Sequence, residues 1–143
     1  MSATADQAEP NLAVRLGFQP DQIVQEIGYD EDADQELREA IEAATGTELV
    51  DEEYDDVSDA VVLWFREDDG DLTDALVDAL AYMEDGGSIL LLTPKAGRDG
   101  YVEPSEIGEA STTAGLSATR SVNAGKDWIG SRLVTPKGAA KRR

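Results

Sequence analysis

The chain has 143 residues, with no cysteine, no histidine and a formal net charge of −19 at pH 7. Its length is that of one domain, and the missing residue types exclude disulfides, Cys-ligated zinc, thiol catalysis and serine triads, leaving carboxylates, lysine or tyrosine for any acid–base chemistry. So negative a charge weakens contact with phosphate backbones, so we expect no nucleic-acid partner.

The amino terminus carries no targeting pattern. Residues 1–10 are small, polar and acidic, without the basic and apolar regions of a signal peptide, and we expect them to be flexible. No apolar run approaches the roughly 20 residues of a membrane span. The sequence therefore predicts a cytoplasmic protein without a membrane partner.

The first part of the chain predicts helices and strands in alternation. Residues 11–17 indicate a short helix closed by glycine, and residues 23–28 contain three β-branched side chains typical of a strand. Residues 30–46 place apolar side chains at helical spacing behind an acidic first turn, which predicts a helix. Residues 47–50 indicate a further short strand.

The middle of the chain predicts a parallel strand pair. Residues 60–65 form a continuous apolar run, typical of a strand covered on both faces, and residues 88–93 form another. Between them, residues 72–83 mark one helical face, with the glycine pair 86–87 beyond the helix end. A single helix joining two such strands makes a βαβ crossover, so the sheet is at least partly parallel.

The last part predicts a helix and a β-hairpin. Pro104 suits the first turn of a helix that ends near Ala114. Residues 117–122 and 128–134 indicate two strands that a turn at residues 124–127 would join as an antiparallel pair. These elements make one α/β domain over residues 11–136, and we expect residues 137–143 to be a disordered basic tail.

One acidic stretch has the spacing of a calcium loop. Asp30, Asp32 and Asp34 match the first three ligands of an EF-hand, but Gln35 stands where glycine is needed and Ile41 where a bidentate glutamate is needed. These acids are better explained as helix caps. We expect no metal site.

A glycine-rich phosphate loop would begin at Gly28, directly after the first predicted strand. Residues 29–33 contain three acids and no second glycine. Carboxylates at this turn repel a phosphate, so the sequence predicts no bound nucleotide cofactor.

The loop at residues 93–100 is the first candidate ligand site, because it follows a central strand at the edge where open α/β sheets bind ligands. It carries Lys95 and Arg98. The loop is either an exposed segment that balances the acidic half or a pocket for an anion or carboxylate. Residues 126–132 are the second candidate, in which Trp128 is interpreted as a core or interface aromatic rather than a stacking platform.

The charge is divided unevenly along the chain. Residues 21–87 hold 24 acids against two arginines, whereas residues 88–143 hold nine bases against five acids. The acidic half is either a solvated face or, through residues 30–59, a docking surface for a basic protein partner.

The order of elements over residues 21–136 resembles the second half of the class I S-adenosylmethionine-dependent methyltransferase fold. Residues 80–94, LAYMEDGGSILLLTP, resemble the turn that leads through a glycine pair into a buried strand of that fold. The segments LAVRLGFQP, DAVVLWFRED, LLTPKAGRDG and KDWIGSRLV together are similar to conserved hypothetical proteins of actinobacteria that form a domain family of unknown function.

The resemblance implies an α/β, Rossmann-like three-layer sandwich with a mostly parallel central sheet and a C-terminal antiparallel strand or β-hairpin. It implies no assigned activity and no catalytic residue. Besides Arg98, it favours five ligand-binding positions: Lys95, Asp127, Trp128, Gly130 and Arg132.

The sequence therefore favours a non-catalytic domain that binds a protein partner or a small anionic ligand. Two alternatives stay open. One is a divergent methyltransferase-like or other transferase that uses the edge lined by Lys95 and Arg98, and the other is an acidic regulator that docks on a basic protein.

Overall fold

A computed structural model describes residues 13–135 of the chain. The expected flexible amino terminus at residues 1–10 and the basic tail at residues 137–143 lie outside the described residues.

The centre of the described chain is a five-stranded mixed sheet in the order β1-β2-β3-β5-β4. The strands are β1 (Val24–Ile27), β2 (Ser58–Trp64), β3 (Met83–Pro94), β4 (Ser117–Asn123) and β5 (Trp128–Val134). β1, β2 and β3 are parallel, and β5 lies antiparallel between β3 and β4. The predicted hairpin is confirmed. The expectation of a mostly parallel sheet is wrong, because the insertion of β5 makes two of the four pairings antiparallel.

Among the described residues, three helices with defined bounds cover the sheet: α1 (Gln35–Thr45), α2 (Leu72–Leu80) and α3 (Pro104–Thr113). Asp34 caps α1 by accepting the Leu37 N–H at 2.9 Å, and Asp71 caps α2 by accepting the Asp74 N–H at 3.0 Å, so these acids satisfy N–H groups that a helix start leaves unpaired. Within residues 13–135 no helix has the length and apolarity needed to cross a membrane.

The segment after α2 differs from its prediction. The helix ends at Leu80, and β3 already begins at Met83, which pairs with Ser58. The ladder then resumes at Ser88, so residues 84–87 form an irregularity within the strand. A Cβ at Gly87 would lie 2.8 Å from the carbonyl oxygen of Asp59, so this glycine permits a close approach of two strands rather than ending a helix.

The predicted strand at residues 47–50 is also shorter than expected. Val50 alone forms a bridge, with Gln25 of β1. The side chain of Gln25 is fully buried, and its amide donates to the carbonyl oxygen of Asp51 at 3.0 Å. The acidic loop that follows is thereby held along the β1 edge of the sheet.

Both faces of the sheet are buried, which gives the three layers expected. Val62 and Trp64 face α1 and the turn at residues 13–18, whereas Val61 and Leu63 face α2 and α3. Successive strand residues point to opposite faces, so a strand covered twice needs the continuous apolar run that the sequence shows. Burying each such large side chain contributes about 1.5–3 kcal/mol.

Candidate ligand-binding site

The carboxyl ends of β1, β2 and β3 meet at one edge of the sheet, which we call the carboxyl edge, and each leads into a loop that bears functional side chains. In the loop after β1, the Gly28 N–H donates to Oε2 of Glu52 at 3.0 Å, and the Glu31 N–H donates to Oδ1 of Asp30 at 2.8 Å. Gly28 has φ +81°, and a Cβ there would overlap the carbonyl oxygen of Trp64. The turn after β1 is therefore packed directly on the end of β2, and two of its N–H groups donate to carboxylates.

A buried carboxylate links β1, β2 and α1. Glu26 is 5% exposed and accepts from Nε and Nη2 of Arg38 at 2.7 and 2.8 Å, and from Nε1 of Trp64 at 2.8 Å. The hydrogen bond from Arg38 to Glu26 raises the pKa of the guanidinium. The two-pronged geometry is the strong form of a charged hydrogen bond.

A second arginine makes a similar unit beside the first. The Arg66 guanidinium binds both carboxylate oxygens of Asp32, with the Nε–Oδ2 distance at 3.0 Å, and donates to the carbonyl oxygen of Gly28 at 2.9 Å. It lies 5.3 Å from the ring centre of Trp128, whose indole N–H donates to the Asp32 carbonyl at 3.1 Å. Burial disfavours the charged Arg66, but hydrogen bonds to Asp32 and Asp69 outweigh it and raise its pKa. The same Arg66 hydrogen bonds lower the pKa of Asp32.

The two units touch through their indoles. The rings of Trp64 and Trp128 meet edge to face, with centroids 4.8 Å apart. We call the combined set the arginine–tryptophan cluster; it consists of Glu26, Asp32, Arg38, Trp64, Arg66 and Trp128. The arginine–tryptophan cluster lies on the α1 side of the carboxyl edge.

The opposite side of the sheet carries an open groove of about 590 Å³ between α3 and the β4–β5 hairpin, which we call the α3 groove. Its walls are mainly apolar, and among the described side chains that line it the titratable ones are Lys95 and Tyr101. The lining residues are Thr93, Pro94, Lys95, Ala96, Tyr101, Val102, Pro104, Ile107, Ala118, Ser121, Ile129 and Ser131.

Four of the six residues predicted from the sequence lie near one another. The Lys95 N–H donates to the carbonyl oxygen of Asp127 at 2.9 Å, and the Arg98 guanidinium is 3.2 Å from the Asp127 carboxylate. Arg98, Asp127 and Trp128 line a depression of about 490 Å³ on the α1 side, with Asp32. Lys95 instead lines the α3 groove, so the two cationic residues of the loop serve different faces.

The other two predicted residues are packing positions. A Cβ at Gly130 would lie 3.2 Å from both the Ala124 Cβ and the Leu90 Cδ1, so this glycine lets β5 pack closely in the core. The Arg132 guanidinium lies against Gly17 in the turn that covers the α1 face. Neither lines the α3 groove or the depression beside Arg98.

Strand alternation explains why the predicted group divides. Trp128 and Gly130 of β5 face the α1 side, whereas Ile129 and Ser131 face the α3 side and line the groove. The period of two along residues 128–134 was the signal that could have separated them. Tyr101 and Ile107 carried no sequence signal of their own, because a loop and a weakly amphipathic helix bring them to the groove.

The acids with EF-hand spacing are dispersed in the fold. Asp34 caps α1, Asp32 binds Arg66, and Asp30 accepts the N–H of its neighbour. Across residues 13–135, no three acidic side chains come together in a group that could hold a metal ion.

The sheet order, with the last strand inserted antiparallel, places the domain in the class I S-adenosylmethionine-dependent methyltransferase fold. Pyocyanin biosynthetic protein PhzM matches with a TM-score of 0.65 and 13% identity, over 94% of this chain and 56% of PhzM. A SAM-dependent methyltransferase from Aquifex aeolicus matches with a TM-score of 0.54 and 15% identity, over 90% of this chain and 89% of that protein. Magnesium protoporphyrin IX methyltransferase from Synechocystis PCC 6803 with bound SAH matches at 0.58 and 12%, over 92% and 83%.

The chain belongs to the family described as Protein of unknown function (DUF3052), whose model matches residues 13–137. Uncharacterized protein Rv2239c of Mycobacterium tuberculosis and uncharacterized protein Mb2263c of Mycobacterium bovis are each 52% identical to it over 139 residues, covering 97% of this chain and 87% of each relative. The resemblance to an actinobacterial family is thereby confirmed, and the structural likeness, at such low identity, shows the fold alone.

The fold implies S-adenosylmethionine as a cofactor, but the residues at the carboxyl edge do not fit it. A carboxylate of the cofactor would need free N–H groups at the turn after β1, where Glu52 and Asp30 already accept from Gly28 and Glu31. A ring bound at this edge would need an open aromatic face, and the Arg66 guanidinium lies over Trp128. We therefore derive no chemical step through this cofactor.

Proposed function

We propose that this chain is a non-catalytic binding domain whose α3 groove takes a small monocarboxylate with an apolar body. The observation that carries the proposal is the state of Lys95. Among the described residues, Arg38, Arg66 and Arg98 form ion pairs, whereas the Lys95 side chain forms none and lines an apolar groove. A half-buried lysine beside apolar walls is complementary to an anion attached to an apolar group.

The size of the groove supports a small molecule. Its volume of about 590 Å³ lies within the range of roughly 300–1,000 Å³ that is usual for ligand pockets. Val102, Ile107 and Ile129 offer apolar contact to the body of the ligand. Tyr101 can donate its hydroxyl hydrogen to the carboxylate beside Lys95.

The composition of the groove supports binding without catalysis. Among the described side chains that line it, the titratable ones are Lys95 and Tyr101, and none is a carboxylate. Histidine and carboxylates are the residues that most often accept a proton in general acid–base catalysis, and none of them is among the described lining residues. The groove offers cationic and hydroxyl donors, which suit recognition of an anion.

Calorimetric titration of hexanoate into the wild-type protein and into Lys95→Gln tests the proposal. We expect saturable binding to the wild type and a loss of about tenfold or more in affinity on removal of the charge, since a hydrogen bond to a charged group contributes about 1.5–3 kcal/mol. Lys126→Gln is the matched control, because it removes the same charge from a nearby turn outside the groove. Absence of saturable binding, or an equal loss in both variants, would refute the assignment.

The length of the ligand gives a second measure of the same site. Each methylene buried contributes about 0.8 kcal/mol, so the affinity should rise by up to about fourfold per carbon from butyrate to hexanoate. A constant affinity along this series would contradict binding against apolar walls.

A second candidate function is docking of a basic protein through part of residues 30–59. The observation that favours it is a depression of about 480 Å³ lined by Asp51, Glu52 and Glu53 beside Tyr29, which is 50% exposed. The Arg38 guanidinium lies 4.5 Å from the centre of the Tyr29 ring, so a basic partner would contact the carboxylates and the exposed part of the ring. A hexaarginine peptide should bind with an affinity that falls with salt and falls further in Tyr29→Ala, whereas an equal response of wild type and variant would contradict a defined dock.

A further inference from the structure

We infer that the arginine–tryptophan cluster occupies the groups that would hold the cofactor of this fold, so that the chain does not bind S-adenosylmethionine. The cluster occupies the carboxyl edge of β1 and β2, the place where open α/β sheets bind nucleotides. It consists of internal groups that satisfy one another. The inference rests on these contacts and is independent of the α3 groove on the other face.

The first step concerns the turn after β1, where a cofactor must approach the backbone. The side of Gly28 on which a Cβ would stand faces the Trp64 carbonyl, and the residue borders a depression of about 340 Å³. Its N–H donates to Glu52, and its carbonyl accepts from Nη1 of Arg66 at 2.9 Å. The backbone N–H and the carbonyl of Gly28 are therefore both hydrogen-bonded within the protein.

The second step concerns the aromatic surface on which an adenine ring could stack. The Arg66 guanidinium lies 5.3 Å from the centre of Trp128, and the Trp64 ring meets Trp128 edge on. The two tryptophans are only 1% and 3% exposed. Trp128 borders the depression beside Arg98 with 3% of its surface exposed, so a ligand ring could stack on the face that Arg66 covers only if Arg66 moved.

The third step concerns the cost of moving Arg66. Its guanidinium binds Asp32 and Asp69 and donates to two backbone carbonyls, those of Gly28 and Trp64. Its side chain is only 14% exposed. A ligand that displaced it would leave those acceptors unpaired unless the ligand supplied an equal number of donors. Besides its α-ammonium, S-adenosylmethionine offers the neutral adenine amino group and two ribose hydroxyls as donors, and these do not reproduce the fixed, charged five-donor fork of a guanidinium.

The protein contains two tryptophans, Trp64 and Trp128, so its indole fluorescence reports on the cluster alone. Titration with S-adenosylmethionine and with S-adenosylhomocysteine, up to about 1 mM, should leave the emission unchanged and should give no saturable heat by calorimetry. A class I methyltransferase serves as the positive control for both ligands. Saturable binding of either ligand to this chain would overturn the inference.

Acrylamide quenching tests whether the cluster covers the two indoles. The wild type should show weak quenching of both indoles, and Arg66→Ala should show quenching increased by about twofold, because one of the two faces of Trp128 loses its cover. Asp32→Asn keeps the shape of the side chain and weakens the ion pair that holds Arg66, so its quenching should increase by less than twofold. This variant replaces Arg66→Ala in the test if Arg66→Ala fails to fold. Strong quenching in the folded wild type would show that acrylamide reaches the indoles, and it would contradict the inference that the cluster covers them. Hexanoate should leave the quenching unchanged in every variant.

Discussion

Replacing Gly28 by alanine probes the packing of the carboxyl edge more sharply than any other single change. Gly28 has φ +81°, and its added Cβ would overlap the carbonyl oxygen of Trp64. Gly46, which ends α1, provides a matched comparison. Its φ is +78°, and a Cβ there would have no neighbour within 4 Å. The two substitutions therefore share the backbone strain and differ in the collision.

The expected magnitudes follow from these two terms. A left-handed conformation costs an L-residue roughly 1–2 kcal/mol, so Gly46→Ala should lower the free energy of unfolding by about 1 kcal/mol. Gly28→Ala should lose this amount and a further 1–3 kcal/mol, roughly, because the end of β2 must shift to admit a methyl group. We expect a total loss of about 2–4 kcal/mol at Gly28.

Urea unfolding of wild type and both variants at pH 7, followed by circular dichroism, measures the difference. The slope of the unfolding free energy against urea should be unchanged if all three proteins unfold from the same fold. Losses at Gly28 and Gly46 that agree within about 0.5 kcal/mol would refute close packing of the β1 turn on β2.

Three further changes have defined outcomes. Glu26→Gln should lower the free energy of unfolding by about 2–4 kcal/mol in urea titrations, because it disrupts a buried charged pair. The control Glu39→Gln, on the exposed face of α1, should change it by less than about 0.5 kcal/mol. Similar losses in the two variants would contradict the buried pair. Arg66 lowers the pKa of Asp32, so this contact stabilises the fold at neutral pH and its contribution is lost as the pH falls through the folded pKa. Asp32→Asn should therefore flatten the fall of stability below about pH 4 relative to wild type, and parallel curves would contradict the shift. Gly130→Ala should lower the melting temperature, at a cost of about 1–3 kcal/mol, without changing hexanoate affinity at the groove; a selective loss of binding would return this glycine to the ligand site.

Periodicity predicted most of the secondary structure because burial imposes it. The apolar run at residues 60–65 is required by a strand with helices on both faces, and the spacing in residues 30–46 is required by a helix packed on one side. The error at residues 81–87 arose because Gly86 and Gly87 are equally compatible with a helix end and with a strand irregularity. Only the neighbouring strand, which approaches Gly87 closely, decides between the two.

The strand order could not be read from local patterns. A hairpin predicts that β4 and β5 pair, but it does not say which of the two pairs with β3. β5 takes the inner position, where Leu133 and Trp128 are buried, while much of β4 lies exposed at the edge. The greater apolarity of residues 128–134 is the physical reason, and it was the one sequence signal of this order.

The candidate site was predicted only in part, because local patterns do not show which distant residues meet in the fold. Lys95 follows a buried central strand, and its position at the carboxyl edge follows from that alone. The arginine–tryptophan cluster was missed because its contacts join residues far apart in sequence, such as Glu26 with Trp64 and Asp32 with Arg66. From the sequence, an acidic residue in a loop is equally compatible with a helix cap and with a solvated side chain. Only the fold shows which of these residues contacts an arginine.

Chemical-shift mapping with hexanoate is the most direct test of where this domain binds a ligand. In ¹H–¹⁵N spectra of the wild-type protein, saturable shifts should appear at the amides of Lys95, Tyr101 and Ile129, which belong to residues lining the α3 groove, while the amides of Gly28 and Asp32 stay in place. Shifts confined to Gly28 and Asp32, or no saturable shift at any concentration up to about 10 mM, would contradict a ligand site in the α3 groove.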